Sequence, residues 1–329
     1  MTGKDSSRRG AASGFSVRTA WRRRWAGLVI AAALLVPGVR GEAADLAARG
    51  PGPFSVPWSF LSLQGERLGS RVAADVRIEA LRTVVEQGRF LPSPRGEPVR
   101  PSGPEVLKLS LRIQIDIIGR QRILLENQVW FDPQTGLPLY LIRMRFGLSD
   151  YHQQFRFTQE GVFRRQREPA SAAEALKPPE SWSKVGENFY EYPPNEAGGH
   201  PVSETLIYLL SGGAVPPRGE VGLLSVFHKR QLHRVSVRAS VAEPVTFDYL
   251  EKNGAVESRR SGTVQAQKIR IESRPIGSYK GDVEDFDFVN NGMLVYLSLD
   301  GRLPLRASCE VPLIGRVDLS LKEIRYNLN

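Results

Sequence analysis

The most regular feature of the chain is an alternation of apolar and polar residues with a period of two. In residues 107–117 every odd position is aliphatic and every even position is polar, and Val72–Val84 and Leu303–Leu313 follow nearly the same pattern. Because successive side chains of a strand point to opposite faces of a sheet, each segment predicts a strand with one apolar face. The apolar face of the third segment includes Cys309, which predicts a buried structural thiol.

Turn-forming residues separate these segments from further candidate strands at short intervals. Asp300-Gly301 predicts a tight hairpin, and Lys252-Asn253-Gly254 a second turn. The pattern predicts an all-β fold, a large curved antiparallel sheet or barrel-like meander, and excludes alternating βαβ units. The other strands are expected at about 121–131, 138–146, 151–158, 221–228, 232–241, 244–250, 262–272, 283–289 and 315–326.

Two long loops interrupt the predicted sheet. Residues 88–105 are rich in Pro and Gly, and residues 166–200 join two candidate halves, 44–165 and 201–329. Loops of this length in a compact domain are typically functional lids or disordered inserts. As lids they would cover an apolar cavity between sheet and loop, but the same apolar faces are equally needed for an ordinary core. A short helix is expected near 203–211, with Ser203 as its N-cap and Gly212-Gly213 as its end.

The N-terminus has the three regions of a secretory signal peptide. Arginines precede an apolar run at residues 26–36, Pro37-Gly38 ends that run, and Gly41-Glu42-Ala43 predicts cleavage after Ala43. Eleven helical residues are about 16 Å long, roughly half of a bilayer core. We therefore expect residues 1–43 to be removed and residues 44–329 to form an exported, periplasmic domain with no stable membrane span. The paired arginines leave Sec and twin-arginine export open.

Export changes the charge of the chain. Residues 1–43 hold eight of the 45 basic residues and two of the 35 acidic ones, so the mature domain has a net charge of +4 instead of +10. No concentrated basic stripe remains, and this argues against a nucleic-acid partner. Cys309 is the sole cysteine of the sequence, so no disulfide can form within the chain.

The sequence has no constellation typical of an enzyme or a metalloprotein. It lacks a Gly-x-Ser-x-Gly elbow, and His228 and His233, five residues apart, would lie on opposite faces of a continuous strand. We therefore expect a non-enzymatic protein without a metal or cofactor. The aromatic and basic residues that we single out as candidate ligand or lid contacts are Trp182, Phe189, Tyr190, Tyr208, Arg302 and Arg306.

The C-terminal half, about residues 200–325, resembles the exported bacterial β-proteins grouped as domain of unknown function 3108. The resemblance is carried by Ser203 and Tyr208 in the short helix, by the hairpin and Pro-containing strand at Tyr296–Arg306, and by Gly315 before the last strand. Tyr296 and Gly301 depart from the family pattern. The resemblance implies an envelope location and an antiparallel β architecture, and it implies no mechanism.

These observations favour an exported, periplasmic, non-enzymatic β-protein that binds a lipid-like or amphiphilic ligand or takes part in envelope assembly. One alternative is an outer-membrane β-barrel, for which strands of nine to eleven residues are suitable. A second alternative is an envelope hydrolase that uses the acidic cluster Asp282–Asp287. The oligomeric state stays open.

Overall fold

Strands dominate the part of the chain that the computed structural model describes, which comprises residues 44–45, 55–119, 122–196, 198–277, 292–300, 302–311 and 314–326. The predicted signal peptide, the strand expected at 283–289 and the acidic cluster Asp282–Asp287 lie outside these residues. The strands are β1 (Ala44–Asp45), β2 (Trp58–Arg67), β3 (Ser70–Arg82), β4 (Glu105–Asp116), β5 (Ile123–Phe131), β6 (Pro138–Phe146), β7 (Tyr151–Phe157), β8 (Gly161–Glu168), β9 (Lys184–Glu191), β10 (Val221–His228), β11 (Gln231–Asn253), β12 (Val256–Pro275), β13 (Met293–Ser298), β14 (Pro304–Val311) and β15 (Gly315–Tyr326).

Helices are short in the described residues: α1 (Thr83–Gln87), α2 (Ala172–Ala175), α3 (Leu206–Ser211) and two 3₁₀ turns at Pro179–Ser181 and Ser203–Thr205. No helix in the described ranges has the length and apolar character needed to cross a membrane.

The strands form one sheet in the order β1-β10-β11-β12-β13-β14-β15-β2-β3-β4-β5-β6-β7-β8-β9. Neighbours are antiparallel, except that β1 runs parallel to β10, and β15 makes an additional parallel pairing with β11. The C-terminal strand β15 therefore lies beside β2, and one sheet passes through both parts of the domain. This arrangement confirms the predicted large antiparallel β architecture.

The alternation in the sequence places apolar side chains on one face of this sheet and charged side chains on the other. Val72 and Val76 on β3 and Leu109 on β4 are buried in the core. On the opposite face, Asp75, Arg112 and Glu126 are side by side in the registers of β3, β4 and β5. The inner face is thus apolar and the outer face of these strands is charged.

The sheet is rolled so that its two ends meet. Phe227 on β10 lies 5.8 Å from the ring of Phe157 and 6.3 Å from that of Phe155, both on β7. The backbone of Val202, after β9, forms a parallel bridge with Phe227. These contacts bring β10, near one end of the strand order, onto β7 and the segment after β9, near the other end, with a core between them.

The two predicted lids pack on the outer face of the sheet. From the 88–104 segment, Phe90 stacks on Tyr140 with ring centroids 5.1 Å apart and contacts Trp130. From the 169–183 segment, the buried Trp182 contacts Phe146 on the outer side of β6. Both segments therefore cover the outside of the barrel.

The long loop predicted at 166–200 is interrupted by a strand in the structure. This stretch contains the end of β8, helix α2, a 3₁₀ turn and strand β9. Strand β9 escaped notice because its residues are mostly exposed and show no apolar alternation; its backbone pairing to β8 from Gly161↔Glu191 to Glu168↔Lys184 defines it. The strands expected at 232–241 and 244–250 are one strand, β11, which continues through a β-bulge between Ala239 and Ala242.

Candidate functional site: an apolar cavity with a polar end

The inner face of the rolled sheet and α3 line a partly open cavity of about 190 Å³. Its wall is built from side chains at the apolar positions of the alternating strands, which explains why residues far apart in sequence meet there. The aliphatic and sulfur-containing residues of the wall are Leu63, Val72, Ala74, Val76, Leu111, Ile113, Leu125, Leu206, Ile207, Leu210, Ile271, Met293, Val295, Ala307, Cys309 and Leu319.

One side of the cavity is polar because three neighbouring strands each place a polar residue on the inner face. Asn127 on β5, Arg143 on β6 and Gln153 on β7 are side by side in the strand registers. Arg143 and Gln153 are buried, and all three line the cavity. We call these three residues the polar row.

Arg143 binds a carboxylate that comes from the connection between β9 and α3. Its Nε donates to Oε1 of Glu204 at 2.6 Å and its Nη2 donates to Oε2 at 3.1 Å. The side chains are only 9% and 5% exposed, so this is a buried, bidentate ion pair. The guanidinium also lies over the ring of Phe155, 5.1 Å from its centroid.

Two further groups donate to the same carboxylate. Asn127 Nδ2 donates to Oε1 at 3.2 Å and Ser203 Oγ donates to Oε2 at 3.0 Å. Burial alone would raise the pKa of Glu204, but the charge and hydrogen bonds of the Arg143 guanidinium, with a smaller contribution from His228, outweigh burial and hold the pKa below its ordinary value. Glu204 is therefore an ionised carboxylate inside the barrel at neutral pH.

Ser203 does not cap the helix, so that prediction was wrong. Val202 and Thr205 occupy the N-cap positions of the 3₁₀ turn and of α3, and neither makes a side-chain cap bond. The Ser203 hydroxyl instead joins Glu204 to His228, whose Nδ1 lies 2.8 Å from Oγ.

The prediction that His228 and His233 lie on opposite faces was also wrong. The chain turns between them, and His233 pairs with Val226, two residues before His228 on the adjacent strand. Both imidazoles therefore lie on one face of the sheet, with ring centroids 5.3 Å apart. Among the described residues, no group of three or more His, Cys, Asp or Glu side chains could hold a metal ion.

The four aromatic residues proposed from the sequence as ligand or lid contacts occupy packing positions. Tyr208 is buried against Phe131, and Tyr190 faces inward beneath Arg164. Phe189 and Trp182 lie on the outer face; Arg95 stacks over Phe189, and the indole Nε1 of Trp182 donates to the carbonyl of Lys177 at 3.2 Å. The residues that line the cavity are different ones.

The two proposed arginines also lie away from the cavity wall. Arg306 is on the outer face of β14, where it pairs with Asp318 and stacks on Tyr296. Arg302 lies against Gly213, just after α3, where a φ of +109° favours glycine. Cys309, by contrast, lies in the cavity wall, and burial raises its pKa to about 12, in agreement with the predicted buried thiol.

Sequence reasoning missed the polar row and Glu204. The available signal was a polar residue on the apolar side of three consecutive strands, at Asn127, Arg143 and Gln153. Each strand read alone shows one interruption of its pattern, or two in β6, where Arg145 also lies on the inner face. The interruptions become a site only when the registers of β5, β6 and β7 are known, because those registers bring them into one row.

Comparison with known proteins gives little further information. No family model matches the chain, and no curated protein matches it. The crystal structure of a β-barrel-like protein of domain of unknown function 1849 from Brucella abortus is similar to it, with a TM-score of 0.45 and 9% sequence identity over 83% of this chain and 100% of that one. A likeness at this level carries no information on function.

Proposed function

We propose that the protein is an exported, periplasmic, non-enzymatic β-protein that binds an amphiphilic ligand inside the barrel. The observation that carries the proposal is the cavity of about 190 Å³, aliphatic over most of its wall and polar at Asn127, Arg143, Gln153 and Glu204. An apolar space with a few convergent polar groups is the usual form of a small-molecule site. Export and the resemblance to domain of unknown function 3108 remain predictions from the sequence.

The size of the cavity fits one apolar group of modest size. An engineered cavity of about 150 Å³ lined by aliphatic and aromatic side chains binds benzene. A space of about 190 Å³ therefore suits a short alkyl chain or a single ring.

The charges on the outer face favour this proposal over an outer-membrane barrel. A membrane barrel presents apolar residues to lipid and keeps polar residues inside. Here Arg112 and Glu126 form an ion pair on the outer face at 3.5 Å, and Arg77 pairs with Glu79 beside them. The apolar residues of the same strands point inward.

The hydrogen bonds of Ser203 favour a binding role over hydrolysis. A serine nucleophile donates its proton to a neighbouring base. Ser203 donates to the Glu204 carboxylate, whose pairing with Arg143 lowers its pKa and makes it a weak base. The Ser203, Glu204 and His228 contacts thus form a structural network.

Filling the cavity tests the proposal. Ala74 on β3 lines the cavity, and its neighbour Ala73 lies on the opposite face of the same strand. Ala74→Leu should weaken the binding of 1-octanol about tenfold or more because the new side chain occupies the ligand's space, whereas Ala73→Leu should leave binding unchanged. Binding is measured by the rise in melting temperature with octanol concentration.

Cys309 supplies a second measurement in the unmodified protein. Its thiol lies in the cavity wall, so a bound ligand should slow its modification by methyl methanethiosulfonate, followed by mass spectrometry. The proposal fails if Cys309 reacts at the same rate with and without saturating octanol, or if Ala74→Leu binds as the wild type does. Native mass spectrometry of protein released from the periplasm would show the cleaved N-terminus and any compound that co-purifies.

A further inference from the structure

The geometry points to an amphiphile with a carboxylate head group as the ligand class, binding Arg143 in exchange for the Glu204 side chain. This inference rests on the proposed function, since it specifies the chemistry of the ligand in the same cavity. In the structure, the Glu204 side chain occupies the place that the ligand carboxylate would take, and we call the groups that bind this carboxylate the receptor.

The receptor is complete around the Glu204 carboxylate. Arg143 contributes two donors in a bidentate arrangement, Asn127 contributes one and Ser203 contributes one. Four donors directed at one carboxylate satisfy most of its acceptor sites. A ligand carboxylate in this position, with its chain in the apolar part of the cavity, would make the same bonds to Arg143 and Asn127, which lie on the sheet, whereas Ser203 belongs to the same turn as Glu204.

The two partners of the ion pair belong to different parts of the fold. Arg143 and Asn127 are fixed in the sheet, between strands paired on both sides. Glu204 belongs to the 3₁₀ turn Ser203–Thr205, in the connection between β9 and α3. Exchange therefore requires a movement of Glu204 or of its turn, while the guanidinium stays in place.

Exchange of one carboxylate for another avoids the main cost of opening a buried pair. Removing Glu204 alone would take away the bidentate partner of a buried guanidinium, which is strongly unfavourable. A carboxylate ligand restores that charge balance, whereas a neutral or cationic ligand does not. Lys229 and Arg230 line the same cavity and provide positive charge near the departing Glu204.

The size of the ligand follows from the cavity. The volume of about 190 Å³ is slightly larger than the cavity of about 150 Å³ that holds the six carbons of benzene. Octanoate, with seven carbons beyond its carboxylate, is therefore a ligand of suitable size. Octanoate, 1-octanol and octylamine then form a matched series in which only the head group changes.

The first experiment compares these three compounds on the wild-type protein. We expect octanoate to bind about tenfold or more tightly than octanol, because charge-assisted bonds to Arg143 favour the anion, and octylamine to bind least. Equal binding of octanoate and octanol would contradict the carboxylate inference and leave the proposed cavity function standing. Failure of all three compounds to bind would contradict the proposed function itself.

The second experiment removes the Glu204 carboxylate from the receptor. Glu204→Gln keeps the shape of the side chain and removes its charge, so octanoate should bind about tenfold or more tightly than to the wild type while octanol affinity stays within about twofold. Glu126→Gln is the matched control, because Glu126 precedes Asn127 on β5 and points to the outer face. Unchanged or weaker octanoate binding in Glu204→Gln would overturn the inference.

Glu204→Gln is expected to lose stability, and this loss provides a further measurement. Octanoate should raise the melting temperature of Glu204→Gln more than that of the wild type, since it replaces the missing carboxylate. The double variant Arg143→Met/Glu204→Leu replaces the pair by apolar side chains and should fold and bind octanol but lose its preference for octanoate. A double variant that retains the preference would show that Arg143 is not the anchor.

Discussion

Helix α3 packs between two inner surfaces of the barrel that differ in chemistry. On one side Leu206 and Leu210 contact an aliphatic wall on β10–β13, formed by Leu224, Val226, Val235, Val237, Ile269, Ile271, Val295 and Leu297. On the other side the turn that precedes α3 places Glu204 on Arg143 of the polar row. The aliphatic wall stabilises the helix through burial, and the polar row fixes where the turn lies.

The aliphatic wall and the polar row should therefore respond differently to mutation. Burial of aliphatic groups is non-directional, so its loss scales with the volume removed. In a buried ion pair the two charges compensate each other, so the largest loss of stability comes from removing only one partner. The following experiments test this contrast.

The largest effect is expected from breaking the pair on the polar side. Arg143→Met alone should lower the free energy of unfolding by about 3–5 kcal/mol because it leaves the Glu204 carboxylate buried without a counter-ion. Arg143→Met/Glu204→Leu should lose much less than the sum of the single changes. Urea unfolding of the four members of this cycle measures the coupling, and additive single changes would show that the two side chains act independently.

On the aliphatic side, Leu210→Ala should cost about 3 kcal/mol, within the usual range for a fully buried leucine. Leu210 is completely buried in α3, whereas Leu176 after α2 is 90% exposed and offers a matched control. Leu176→Ala should change the free energy of unfolding by less than about 0.5 kcal/mol. Similar losses in both variants would mean that α3 is not packed as described.

The two sides should also differ in their response to pH. The pKa of Glu204 is lowered in the folded protein from its ordinary value of 4.5, so the unfolded chain takes up a proton first as the pH falls. The stabilising contribution of the pair is therefore complete above pH 4.5 and decreases through the range between 4.5 and the folded pKa. Unfolding measured from pH 7 to pH 3 should show that the wild type loses stability faster than Arg143→Met/Glu204→Leu.

The smallest effect is expected outside the barrel. Arg112 and Glu126 also form an ion pair across neighbouring strands, but their side chains are 58% and 32% exposed. Arg112→Ala should change the free energy of unfolding by at most about 0.5 kcal/mol, because solvent screens the charges and hydrates the partner that remains. A loss comparable to that of Arg143→Met would break the contrast between buried and exposed pairs.

Local patterning was sufficient to predict the β class and several strands. The strands expected at 138–146, 221–228 and 315–326 match β6, β10 and β15, because alternation and turn residues are local properties of the chain. Strand β9 was missed because backbone pairing defines it and its side chains carry little apolar pattern.

The site needed information that local patterning does not contain. The bond between Arg143 and Glu204 joins residues 61 positions apart, and it depends on the register of β5–β7 and on the entry of the turn before α3 into the barrel. His228 and His233 were assigned to opposite faces on the assumption of one continuous strand, whereas the register across the hairpin between the strands predicted at 221–228 and 232–241 brings both rings to one face. Long-range register and short turns are the two features that a single sequence specifies least directly.

The pairing of β15 with β2 has a consequence for the order of folding. Ser59 at the start of this pairing donates to the carbonyl of Tyr326, a residue 267 positions later in the chain. During synthesis, β2 has β3 on one side and an open edge on the other until the final strand emerges. Contacts of such long sequence separation form slowly, and unpaired strand edges are prone to aggregate. The edge of β2 is therefore protected from aggregation only after β15 (Gly315–Tyr326) has paired with it.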